Sequence, residues 1–103
     1  MNFLGYLYAD RNVNLKEAES LLDKALDKDP FNGAYLDSLG WVYYRQGRYE
    51  LAITKLTQAR RALAAADNQD AVVYSHLGAV YLTAGLKVQS MSAFNRSYDL
   101  HKY

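Results

Sequence analysis

The sequence predicts an all-α protein built as a stack of three helical hairpins, with six helices in total. A motif of leucine, glycine and tyrosine occurs three times, and small and apolar residues follow it at helical spacing. The chain of 103 residues contains one proline, which favours long helices because proline is excluded from helix interiors. Half of the residues are hydrophobic, enough for one continuous core, so we expect a single domain over residues 1–103.

The internal repeat is visible in three five-residue motifs. LGYLY at 4–8, LGWVY at 39–43 and LGAVY at 77–81 place their glycines 35 and 38 residues apart. Such a period is typical of stacked helical hairpins, each of which has more apolar surface than it can bury alone. We therefore divide the chain into repeats at approximately 1–32, 33–69 and 70–103. The six predicted helices are 2–11, 15–28, 33–46, 49–66, 71–84 and 88–101.

The first repeat has no glycine in the turn between its two helices. Asn12 or Asn14 is expected to supply the turn instead, because asparagine tolerates the left-handed region. Asn14 also stands three residues before Glu17, a spacing that predicts a capping box at the start of the second helix. The apolar stripe of that helix consists of Ala18, Leu22 and Ala25.

The middle repeat shows the pattern most completely. One face of its first helix carries Leu36, Leu39, Gly40 and Tyr43. Gly47 breaks that helix, and the stripe of the second helix consists of Ala52, Leu56 and Ala59. Since glycine and alanine have the least bulk, we expect Gly40 to face Ala52 at the closest approach, and Gly78 to face Ser90 in the third repeat.

The third repeat follows an insertion of about four residues within 60–70. Alanines are strong helix formers and the next residues are natural stops, so the preceding helix is expected to run to near Ala66. The repeat itself has Tyr74, Leu77, Gly78, Tyr81, Gly85, Phe94 and Tyr98 at the recurring positions.

Composition excludes several classes of protein. The formal net charge is +1, from 12 basic and 11 acidic residues, too weak a field to predict binding of nucleic acid or an anionic membrane. No apolar run reaches the roughly 18 residues of a membrane-spanning helix, so we expect a soluble chain without membrane insertion. The absence of cysteine excludes disulfides but leaves both a cytoplasmic and a periplasmic location open.

A catalytic or metal-binding constellation is also missing from the sequence. There is no glycine-rich phosphate loop and no HExxH motif, and His76 and His101 belong to different predicted helices. Arg60 and Arg61 could contact a phosphate, but two arginines in a nearly neutral chain are a weak footprint. We therefore predict no enzyme activity, no catalytic residues, no metal and no cofactor.

With these motifs the chain resembles the tetratricopeptide repeat (TPR) family, whose pattern places Leu-Gly and Tyr before Ala, an aromatic residue and Pro. Leu36 departs from it by replacing the leading aromatic residue, as do Ser90 and Ser97, where the family prefers alanine. The resemblance implies a right-handed superhelical stack of three TPR hairpins, an α-solenoid. Because Met1 falls where the first helix should already have completed a turn, we expect a fragment of a longer bacterial TPR protein.

In the resembling family, the first helices of successive hairpins line a concave groove that holds a peptide or a partner's helix. The resemblance therefore implies a protein–protein interaction scaffold, here with an unidentified partner. By position, the groove would be lined by Asn2, Tyr6, Ala9, Asp10, Asp37, Trp41, Tyr44, Arg45, Val72, Ser75, Ala79, Leu82 and Thr83. Aromatic and neutral residues dominate this set.

Trp41 is the candidate centre of such a site. It lies off the apolar face of its helix, and aromatic residues are enriched among binding hot spots. Asp37 and Arg45 flank it by about one turn and could set the direction of a ligand. Plain packing remains the alternative, because a large ring can fill the seam between hairpins, against Tyr6 or Ala79.

One subclass of the family clamps the C-terminal carboxylates of chaperones with lysine, arginine and asparagine side chains. The corresponding residues here are Asn2, Tyr6, Ser38, Val72 and His76. The cations of the clamp are missing, which disfavours binding of chaperone tails.

The rival hypothesis is a structural module that forms a homo-oligomer through its terminal helices. Both ends carry large apolar side chains, among them Phe3, Leu7, Tyr98 and Leu100. Association would bury these side chains, each worth roughly 1.5–3 kcal/mol.

Overall fold

A computed structural model describes residues 14–66 and 71–102, with side chains up to residue 100. The described helices are α1 (Leu15–Lys28), α2 (Gly33–Arg45), α3 (Tyr49–Ala65), α4 (Ala71–Thr83) and α5 (Lys87–Lys102). Their ends lie within one residue of the predicted ones, and these two stretches contain no strand, which confirms the all-α prediction. The predicted helix at 2–11 lies outside the described residues.

The turns at Gly47 and Gly85 share one geometry. Both glycines are left-handed, with φ of 78° and 83°. The N–H of Arg48 donates to the Tyr43 carbonyl at 2.9 Å. One repeat later, the N–H of Leu86 donates to the Tyr81 carbonyl at 2.8 Å. These bonds close a Schellman motif, which satisfies carbonyls that the end of a helix would otherwise leave unpaired.

The starts of α1 and α2 differ. Asn14 has the left-handed backbone that was predicted for the first turn, with φ 52° and ψ 46°. Its side chain makes no capping hydrogen bond, so the predicted capping box is wrong. A left-handed residue does not have the extended backbone from which a capping side chain reaches into the first turn of a helix. Asn32 has that extended conformation, and its side chain accepts from the Tyr35 N–H at 3.0 Å.

Successive helices pack against one another along the chain, and α2 also meets α4. The predicted stripes of α1 and of the middle repeat form the core. Its buried side chains include Ala18, Leu22, Leu36, Leu39, Tyr43, Ala52, Leu56 and Ala59. From the third repeat, Val73, Leu77, Val80 and Ala93 join the same cluster. One continuous core thus runs through α1 to α5.

The close contact at Gly40 differs from the prediction. A Cβ added to Gly40 would lie 2.6 Å from Cγ of Leu56, so Leu56, rather than Ala52, is the residue that requires glycine there. In the third repeat, a Cβ added to Gly78 would lie 2.6 Å from Cε1 of Phe94, so the ring of Phe94 occupies that space. Ser90 does lie beside Gly78, since its buried hydroxyl donates to the Gly78 carbonyl at 3.0 Å.

Candidate functional site

A buried polar pair joins the first helices of the second and third repeats. Nδ1 of His76 on α4 lies 2.9 Å from Oδ1 of Asp37 on α2. Only 14% and 12% of the two side chains are exposed. A carboxylate withdrawn from water needs such a partner, so the pair fixes how α2 lies against α4.

Aromatic rings cover this pair. Trp41 stacks on the imidazole of His76, with centroids 4.2 Å apart and planes 23° apart. Tyr44 lies beside Trp41, at 4.7 Å and a tilt of 34°, and Tyr49 continues the row at 5.9 Å from Tyr44. Trp41 and Tyr44 are both half-buried against the core. Trp41 therefore packs in the seam between repeats and still presents part of its surface to solvent.

A second polar contact lies about two turns further along α2, at Tyr44. The hydroxyl groups of Tyr44 and Thr83 are 3.1 Å apart, and Thr83 donates to the Ala79 carbonyl at 3.0 Å. Side chains thus connect α2 with α4 at two levels. We call the surface formed by Asp37, Trp41, Tyr44, His76 and Thr83 the α2–α4 seam.

The structure brings several predicted site residues to this seam and leaves others beside it. Ser75 and Ala79 are partly buried on α4, whereas Leu82 is exposed, as is Arg45 on α2. Asp37 is buried and bonded to His76, so it is less accessible to a ligand than the sequence suggested. The predicted residues Asn2 and Tyr6 lie outside the described part of the chain.

The sequence analysis named His76 only as a position of the chaperone clamp and did not include it in the predicted site, where it is the central residue. The sequence nevertheless contained a signal for it. Asp37 stands at a helical position that packing buries, and a buried carboxylate needs a polar partner, which the next repeat can supply. The repeat spacing of 38 residues aligns Asp37 with Ser75, which places His76 next to the required position. Which side chain of α4 meets Asp37 depends on how the two helices pack, and this could not be obtained from spacing.

The described residues hold no cluster of three or more histidine, cysteine or acidic side chains suited to a metal ion. Within the same ranges, no helix combines the length and apolar character that crossing a membrane requires.

Paired helices joined by short turns, repeated along the chain, define a helical-hairpin repeat protein. No family model matches the chain. It is 41% identical, over 78 residues or 76% of its length, to TPR repeat-containing protein PA4667 of Pseudomonas aeruginosa. With the three recurring motifs, this similarity shows that the chain belongs to the tetratricopeptide repeat family. The aligned part spans 12% of the length of that relative.

Proposed function

We propose that the chain is a non-enzymatic protein-interaction module, which binds a peptide or a partner's helix across the α2–α4 seam. The observation that carries this proposal is the row of half-buried rings, Trp41 and Tyr44, held in place by the Asp37–His76 pair. Rings that are already ordered offer a large apolar face at a small cost in side-chain entropy.

The proposal includes the full architecture that the sequence predicts. Three hairpins, at about 1–32, 33–69 and 70–103, stack in a right-handed superhelix as one domain. The first helices then line a concave groove. Its proposed contact residues are Asn2, Tyr6, Asp37, Trp41, Tyr44, Arg45, Ser75, Ala79 and Leu82. We include Thr83, which the sequence also places in the groove, and His76, because both contact these residues.

The chemistry of the seam favours a ligand with apolar or aromatic side chains. Leu82 and Val72 are large, exposed apolar residues on the same helix as His76. Arg45 is the one cation in the proposed set, so an acidic tail would find little charge to bind. Ser75 and Thr83 supply polar groups that can orient the backbone of a bound segment.

The substitution Trp41→Ala tests the site. Wild-type protein and variant are screened on an array of peptides that tile the proteome of the source organism, and the best binders are titrated by calorimetry. Loss of a hot-spot residue should weaken binding by about 2 kcal/mol or more, roughly thirtyfold. Phe31→Ala is the matched control, because that ring is 82% exposed and lies away from the seam.

Thermal melting of both variants separates a binding role from a packing role. Trp41→Ala should lower the melting temperature moderately, since the ring also packs on His76. A destabilised variant that keeps wild-type affinity for its peptides would remove Trp41 from the site. Equal losses of affinity in Trp41→Ala and Phe31→Ala would contradict the proposed location.

Self-association is a second candidate, favoured by one face of α5. Val88, Met91 and Tyr98 expose 78%, 65% and 68% of their surfaces there. The equivalent positions of Met91 and Phe94 one repeat earlier are Ile53 and Leu56, which are less exposed because α4 lies against α3. Sedimentation at several concentrations distinguishes the candidates: a mass that rises with concentration and falls in Met91→Glu supports an oligomerisation module.

A further inference from the structure

The turn between α1 and α2 presents an aromatic ring to solvent. Residues 29–32 form a β-turn, in which the N–H of Asn32 donates to the Asp29 carbonyl at 3.2 Å. Pro30 takes the second position of this turn, which proline favours because its φ is already set. Phe31 comes next, and its side chain is 82% exposed, more than any other large apolar side chain of the described residues. The ring is therefore available to a partner.

Side-chain hydrogen bonds hold this turn in one conformation. Nδ2 of Asn32 donates to Oδ2 of Asp29 at 3.0 Å, so the one carboxylate of the turn is bonded within it. Oδ1 of Asn32 accepts from the Tyr35 N–H at 3.0 Å, which attaches the turn to the first residues of α2. An ordered backbone loses little conformational freedom when a ligand binds, so the turn supports the exposed ring in a way that favours binding.

The C-terminal end of α3 lies beside this turn. α3 has 17 residues, against 14 in α1, its equivalent in the first repeat. Leu63 anchors the longer end, because a Cβ added to Gly33 would lie only 2.5 Å from Cγ of Leu63. This contact holds the end of α3 against the first residue of α2.

A cleft of about 480 Å³ separates the turn from the end of α3. Its volume lies in the usual range of ligand sites, about 300–1,000 Å³. The lining comprises the turn, the start of α2 and one face of α3, with the residues Pro30, Phe31, Leu36, Gln58, Arg61, Ala62 and Ala65. We call this the turn–α3 cleft.

Arg61 gives the cleft its charge. It is the only charged residue among the described lining residues, and its side chain is exposed. No ion pair of the described residues involves it. The equivalent positions of the first and third repeats are Asp27 and Asp99, so the cation is specific to the middle repeat. A cation at the edge of an apolar cleft favours a ligand that joins an apolar group to an anion.

We propose that the turn–α3 cleft binds a segment of a partner protein in which a large apolar residue is followed by an aspartate or glutamate. The apolar side chain lies between the Phe31 ring and the alanines of α3, and the carboxylate binds the guanidinium of Arg61. Arginine suits this role because its planar fork of donors can bind a carboxylate through two hydrogen bonds. The cleft shares no residue with the α2–α4 seam, so either site can fail without the other.

Fluorescence anisotropy tests the cleft with a labelled octapeptide in which phenylalanine and aspartate stand together between serine and glycine residues. One matched peptide has asparagine in place of aspartate, and another has alanine in place of phenylalanine. The wild-type protein should bind the first peptide more tightly than either. Arg61→Gln should weaken its binding roughly fivefold, the upper end of what an exposed ion pair contributes. Phe31→Ala should weaken it roughly tenfold, because an aromatic contact is lost together with the area it buries.

A double-mutant cycle identifies the group that Arg61 binds. The variant Arg61→Gln should bind the aspartate and asparagine peptides equally, because the two changes remove the same interaction. Phe31→Ala should still distinguish these peptides, since it leaves Arg61 in place. Both side chains are exposed, so neither substitution should alter the fold, which circular dichroism verifies.

Arg60→Gln is the matched control, since Arg60 neighbours Arg61 in the chain but lines a different cleft, with Tyr74 and Val88. It should change the affinity less than twofold, and Trp41→Ala should also leave the affinity unchanged. A peptide bound at the α2–α4 seam should show the opposite pattern, with a loss in Trp41→Ala and none in Arg61→Gln. The two sites are thus tested separately.

Three outcomes would overturn the proposal. The first is an affinity of the wild-type protein that does not fall when either the aspartate or the phenylalanine of the peptide is replaced. The second is an equal loss in Arg60→Gln and Arg61→Gln, which indicates unspecific charge attraction. Tyr98 and Asp99 of α5 are exposed and have the same chemistry as the peptide. The third outcome is therefore a dimer that excludes the peptide and is lost in both Arg61→Gln and Asp99→Asn, which assigns the cleft to a second copy of the chain.

Discussion

The substitution Gly40→Ala tests the tightest contact within the middle hairpin. The new Cβ would lie 2.6 Å from Cγ and 2.9 Å from Cδ2 of Leu56, and 3.2 Å from its backbone nitrogen. Leu56 is fully buried, so its side chain has no free space to enter. The methyl group can be accommodated only if α3 moves away from α2.

Two effects of opposite sign determine the magnitude. Alanine is a better helix former than glycine by about 1 kcal/mol, which favours the variant. Overpacking a well-packed core costs about 1–3 kcal/mol, and sometimes more, and the backbone contact at Leu56 favours the upper part of this range. We expect a net destabilisation of about 1–2 kcal/mol, which lowers the melting temperature by roughly 5–10 °C.

Gly78→Ala is the matched control in the next repeat. There the three atoms nearest to the new Cβ would all belong to the ring of Phe94, which is 38% exposed and able to turn aside. The gain in helix propensity then offsets most of the steric cost. Thermal melting followed by circular dichroism at 222 nm is the assay. If Gly40→Ala melts at or above the wild-type temperature, or no lower than Gly78→Ala, the proposed contact between α2 and α3 is wrong.

Two further substitutions test a turn and a charge. Gly47→Ala should destabilise the protein by about 1 kcal/mol, as measured by urea unfolding. Space for the methyl group is available, but φ at this position is 78°, and a residue with a side chain is unfavourable in the left-handed region. Burial and Glu19 raise the pKa of Asp23, so the folded state holds the proton of this carboxyl more tightly than the unfolded state does. Loss of that proton therefore lowers the stability of the protein as the pH rises through the folded pKa of Asp23. Asp23→Asn should therefore raise the melting temperature slightly at pH 7 and have no such effect at pH 2, where both states are protonated. A lower melting temperature at pH 7 would show that the attraction to Lys55 and Arg48 dominates.

The sequence by itself determined the helices and their turns. Helix ends depend on local chemistry, such as the glycines at 47 and 85 and the alanines that extend α3 to Ala65, and the repeat made each of these signals recur. The buried stripes follow equally directly, because side chains three and four residues apart share one face of a helix.

Only the tertiary structure decided which side chains meet between helices. Leu56 rather than Ala52 fills the space at Gly40, and His76 lies against both Asp37 and Trp41. A cleft of about 590 Å³ likewise combines residues from three helices, among them Arg60, Tyr74 and Val88. These contacts depend on the crossing angle and axial offset of packed helices, which vary continuously with the shapes of the packed side chains, whereas periodicity specifies only which face of a helix is buried.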